Sequence, residues 1–112
     1  MSKLEEKIET YVESAQKLGL DLDRDYIAAV TKALGPSIYN KDAETVSCSD
    51  SGELETVKKN FARNKLGVTD DAAIDAAIQK VCEALGSSNR NKYRALFYAL
   101  LAKELGKTSV YA

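Results

Sequence analysis

Apolar positions recur along this chain at helical spacing almost from end to end. Leu4, Ile8, Tyr11, Val12, Ala15 and Leu18 share one stripe and predict a helix over 3–18, stopped at Gly19. A second helix is predicted from Asp21 or Asp23 to Leu34, burying Tyr26, Ile27, Val30 and Leu34. Gly35-Pro36 ends it, because proline cannot continue a helix and restricts the residue before it. Residues 37–49, "SIYNKDAETVSCS", are the least periodic stretch and read as loop, with Ile38-Tyr39 or Val46 as anchoring hydrophobes. A third helix then opens at Asp50, with Glu53 at capping-box spacing and Leu54, Val57, Phe61 and Leu66 on one face. Thr69 or Asp70 caps a fourth, lined by Ile74, Ala77, Ile78, Val81, Cys82 and Leu85. The fifth starts near Ser88 or Asn89 and carries Tyr93, Leu96, Phe97, Leu100, Leu101 and Leu105. Gly67, Gly86 and Gly106 close the last three, and "KTSVYA" is left as a tail.

The pattern therefore predicts an all-α, compact single domain of about five helices. Residues 1–20 form an N-terminal helix, expected to be loosely attached; 21–107 form the core and 108–112 the tail. Length agrees: 112 residues can bury roughly 65% of the unfolded surface without metals or disulfides. No apolar run approaches 18 residues, and the opening "MSKLEEKIETYVESAQ" alternates charge with hydrophobes. A signal peptide, transmembrane helix or anchor is not expected, and the cytoplasm is the expected compartment.

Chemistry is constrained more by what is missing than by what is present. There is no histidine, which removes Ser-His-Asp and Cys-His catalysis and the usual near-neutral acid/base group. GxGxxG and GxxxxGK[ST] are also missing. No enzyme, cofactor or metal is expected. "DLDRD" sets Asp21, Asp23 and Asp25 like the opening of a calcium loop, but Tyr26 stands where glycine is needed and Lys32 where a bidentate glutamate is needed. The three carboxylates read instead as helix capping. Residues 60–78 have the outline of a helix-turn-helix. Asp70, Asp71 and Asp75 open its second helix, however, and would repel phosphate.

Cys48 and Cys82 have no metal or CxxC spacing and are expected to be free thiols in a reducing compartment; a bridge between them is geometrically possible but disfavoured there by the rarity of cytosolic disulfides. Cys48 alternates with Val46 and reads as a packing residue; a thiol-based redox sensor at Cys48 is the alternative. Charge is near balance, 16 basic against 17 acidic residues, yet locally segregated. Lys58, Lys59, Arg63 and Lys65 give the third helix four cations between 56 and 66 and no acid, and Arg90, Lys92 and Arg94 surround Tyr93. Lys58, Lys59, Arg63, Arg90, Lys92 and Arg94 are the candidate contact residues, for an unknown protein partner or self-association. Nucleic-acid binding through the same patch is a second alternative, disfavoured by the overall neutrality. The seven acids among the first 25 residues could instead dock on these cations. Tyr93 and Phe97, four apart, are expected in the core, with Tyr98 a half-exposed contact residue.

"VSCSDSGEL" (46–54), "KLGVTDDAAIDAAIQKVCE" (65–83) and "NRNKYRALFYALLAKELGK" (89–107) together resemble the small bacterial family named domain of unknown function 2853 (DUF2853). The resemblance covers roughly residues 25 to 110 and rests on the order and spacing of the three blocks. Ser51 stands where the family often has proline, a change of capping rather than of chemistry. The first helix looks divergent. The resemblance implies a compact helical domain in bacterial cytoplasm, with no activity, cofactor or catalytic residues to carry over.

Overall fold

The computed structural model describes residues 3–86, 89 and 92–111, with 41 and 42 described in their backbone only. The first two predicted helices are α1, Lys3–Leu18, and α2, Arg24–Leu34. A 3-10 turn, Gly35–Tyr39, and the single-turn α3, Lys41–Glu44, follow. The third predicted helix is α4, Ser51–Val57, which runs on as a π-helical turn over Lys58–Arg63. The last two are α5, Asp71–Leu85, and α6, Arg94–Glu104, before a 3-10 turn at Thr108–Tyr111. There is no strand among the described residues, only an isolated antiparallel bridge between Thr45 and Tyr93. The fold is all-α. Its radius of gyration, 12.9 Å, is close to the roughly 13 Å expected of one compact domain of this length.

α6 is the centre. Its composition is apolar nearly all round, the mark of a helix covered on every side. Ala95, Leu96, Phe97, Ala99, Leu101 and Ala102 are all buried, and α1, α2, α3, α5 and both late turns pack around them. The alanines let α2 approach closely, and Tyr26 of α2 donates its hydroxyl to the Ala99 carbonyl at 2.6 Å. α1 docks through Tyr11, which is fully buried, lies 4.8 Å from the Tyr93 ring and donates to Glu44 Oε2 at 2.7 Å. Glu44 also accepts from Lys7 at 2.7 Å, so α1 and α3 are tied by one shared carboxylate oxygen.

The π-helical turn explains why Leu66 belongs to the same buried face as Phe61. Leu66 N–H reaches back five residues to the Phe61 carbonyl at 2.9 Å, which widens the turn and returns Leu66 to the core side. Gly67 then reverses the chain at φ +70°, a left-handed conformation that side chains with a Cβ disfavour.

Three expectations need correction. Residues 37–49 are not simply loop, since 35–39 and 41–44 are helical turns; Ile38 and Val46 are buried anchors but Tyr39 is 47% exposed. The fifth helix starts later than capping signals suggest, at Arg94. Lys92 and Tyr93 are drawn into extended pairing with 45–46, where Val46 N–H donates to the Lys92 carbonyl at 2.8 Å and Tyr93 has ψ 133°. Ser88, one expected cap, lies outside the described residues. Finally, Asp23 occupies the N-cap position of α2 but its side chain makes no capping bond, and Asp21 faces Lys103 instead.

Candidate binding cleft

Asp50 ends the extended segment and starts α4, accepting from Gly52 N–H at 3.0 Å and Glu53 N–H at 3.2 Å. Half of the expected capping box is thus present. Its reciprocal half is not, because Asp50 N–H donates to the Ser47 carbonyl and Glu53 turns to Arg94. Between the 45–49 segment, α4 and the C-terminal half of α5 lies an open cleft of about 1060 Å³. Leu54, Ile78 and both cysteines give it apolar surface, and Ser47, Ser49 and Gln79 give it polar surface. Its charged groups are Glu55, Lys58, Asp75, Glu83 and Lys92, which leave it slightly acidic.

Cys48 and Cys82 are joined on this wall by a disulfide, their Cα atoms 6.0 Å apart. That separation is ordinary for a bridge. The expectation of free thiols is therefore corrected. Spacing along the chain is silent here, because the two cysteines are 34 positions apart and meet only through tertiary structure. Both are half-buried and packed against the core, so Cys48 does pack as expected while also forming a covalent bond. Cys82 was legible only as a member of the apolar stripe of α5.

Of the five candidate cations among the described residues, four are engaged within the fold and do not make one exposed patch. Lys58, 12% exposed in its side chain, is held by Asp75 at 3.2 Å. Arg63 pairs with Asp71; their mutual hydrogen bond raises the guanidinium's pKa and lowers the carboxyl's. Lys92 is buried and donates to the Asn89 carbonyl at 2.6 Å. Arg94 works inward, reaching the Ala43 carbonyl at 2.6 Å, Glu53 at 2.5 Å and the Tyr98 hydroxyl at 3.1 Å. Burial opposes its charge most, but the bonds to Tyr98 and Glu53 outweigh that and raise its pKa. Lys59 is exposed, and Arg90 lies outside the described residues. The fold does bring Lys58 and Lys92 together, on the cleft. Tyr98 is occupied rather than free, its ring stacked 4.0 Å from Phe61.

The matching family is described as "Protein of unknown function (DUF2853)", over residues 10–109. The chain belongs to this family. The match takes in the second half of α1, more than the resemblance of the three sequence blocks suggests. Comparison with curated proteins finds no match. Among the described residues, no helix is long and apolar enough to cross a membrane, and no group of three or more Cys, Asp or Glu could hold a metal.

Proposed function

We propose that this DUF2853 chain is a non-enzymatic interaction module that takes a protein segment, from a partner or a second copy, in the cleft between 45–49, α4 and α5. The cleft itself carries the reading: about 1060 Å³ is the volume of a ligand site, in a chain of only 12.2 kDa. Its mixed lining suits a polypeptide, with apolar contacts at Leu54 and Ile78, hydroxyls at the rim and charges of both signs. A slightly acidic cleft, with Lys58 and Arg63 already held by α5 carboxylates, offers little to phosphate and favours this reading over the nucleic-acid alternative. No metal or cofactor takes part in this reading.

Affinity capture with the wild-type chain and the double variant Glu55→Lys/Glu83→Lys tests it, both residues being exposed and outside the core. Partners held by the wild type and lost by the variant are expected, or self-association lost in sedimentation equilibrium if the partner is a second copy. Identical capture and identical association states by both proteins overturn the reading. A thiol-based switch at Cys48 is a second reading, favoured by the Cys48–Cys82 bridge on the same wall.

A further inference from the structure

The binding reading makes no use of the most reactive bond in the molecule. Cys48 and Cys82 both line the open cleft and neither residue is fully buried, so the bridge belongs to a wall that faces solvent. Their settings differ. Cys82 is in the last turn of α5, where its carbonyl accepts Gly86 N–H, and the acidic Glu83 follows it. A thiolate there sits at the negative end of the helix dipole and is disfavoured. Cys48 lies in extended chain, outside any helix. Of the charged groups on the cleft, Lys58 is engaged by Asp75 and the Lys92 ammonium by the Asn89 carbonyl, while Glu55 and Glu83 are exposed.

We propose that Cys48–Cys82 is a thiol–disulfide exchange site for small thiols and dithiols, attacked at the Cys82 sulfur with Cys48 as the leaving group. The attacking thiolate forms a bond to the Cys82 sulfur and the Cys48–Cys82 bond breaks. Its electron pair leaves on Cys48, which takes a proton from water. With a dithiol, the second thiolate attacks the reagent's own sulfur in the mixed disulfide and releases Cys82. The pair is then reduced by two electrons and the reagent is oxidised to its cyclic disulfide. Departure of the less basic thiolate is the faster course. A disulfide of the same class reverses the reaction.

The protein tolerates the step because the anchors flanking Cys48 are independent of it. Val46 is buried and bonded to Lys92, and Asp50 caps α4, so reduction releases only Ser47–Ser49 from α5. Those residues bond locally, Ser47 Oγ with Ser49 Oγ at 3.1 Å and Asp50 N–H with the Ser47 carbonyl. If the cleft is the contact face proposed above, on which this consequence alone rests, reduction frees one of its walls.

The oxidised chain is pulsed with 2-mercaptoethanol, an uncharged monothiol, quenched with iodoacetamide and mapped by peptide mass spectrometry. Mercaptoethanol is expected on Cys82, with carbamidomethyl on Cys48, in about threefold or greater excess over the reverse pattern. An equal or inverted ratio, or a bridge that resists millimolar thiol in the folded state, overturns the proposal. The single variants Cys48→Ser and Cys82→Ser give a second measure: the lone Cys48 thiol should alkylate faster at neutral pH than the lone Cys82 thiol, and the opposite order also overturns it. Neither measurement involves a partner, so failure of the binding reading leaves both outcomes legible.

Discussion

Reducing the Cys48–Cys82 bridge should lower the melting temperature sharply while leaving the fold intact at 25 °C. The bridge spans a sequence separation of 34. The loop-closure relation gives about 3.8 kcal/mol of denatured-state entropy removed by a link of that length. Unfolding entropy near 2.1 cal/mol/K per residue amounts to about 0.24 kcal/mol/K for this chain, so the bridge accounts for about 16 °C. The folded state should survive its loss, because one contiguous cluster from Tyr11 to Ala102 packs around α6 without either sulfur at its centre. Typical domain stability of about 5–15 kcal/mol also exceeds the loss. The assay is thermal unfolding followed by circular dichroism, oxidised and reduced, beside a Cys48→Ser/Cys82→Ser variant that reductant should not affect. A drop below about 3 °C would refute the claim that the bridge constrains the unfolded chain. Loss of helix signal on reduction at 25 °C would refute the claim that the core closes without it.

Arg94→Ala should destabilise by about 1–3 kcal/mol in urea unfolding, since it leaves Glu53 and the Ala43 carbonyl without their partner in a half-buried position. A loss under 1 kcal/mol would return Arg94 to the role of a surface cation. Stability should also fall as pH rises above about 10, because burial raises Tyr11, Tyr26 and Tyr111, Tyr26 to about 12. A raised folded pKa means stability is complete below the unfolded value near 10 and is lost toward the folded one, by up to about 1.4 kcal/mol per pH unit for each tyrosine. Phenolate absorbance checks it: tyrosines of the folded chain all titrating near 10 would contradict it.

Helix positions were legible wherever the cause is local. Stripes such as Ile74, Ile78, Val81 and Leu85 state which face is buried, and Gly67 or Asp50 mark an end through backbone geometry that needs no distant partner. The errors fall where a distant segment decides. Tyr93 has helical periodicity with Phe97, yet pairing with Thr45 holds it extended and delays α6 to Arg94. Glu53 has capping-box spacing, yet an arginine 41 positions away offers it more than its own backbone does. The cleft was illegible for the same reason, since its walls come from 45–49, α4 and α5 and its cysteines are joined only in three dimensions.

Charge carries a further lesson about reading a patch from a run of residues. Asp71 and Asp75 argued against a DNA-reading helix because they would meet phosphate with like charge. In the fold these same carboxylates face the neighbouring basic segment, Asp71 on Arg63 and Asp75 on Lys58. One observation therefore answers two questions: α5 is poorly suited to phosphate, and Lys58 and Arg63 of the preceding basic segment are engaged by it. The exposed pairs contribute little to stability singly. Their consequence is for specificity, since a near-neutral chain with segregated charge satisfies its own field across α4 and α5. The cleft beside them brings apolar surface, hydroxyls and the disulfide together.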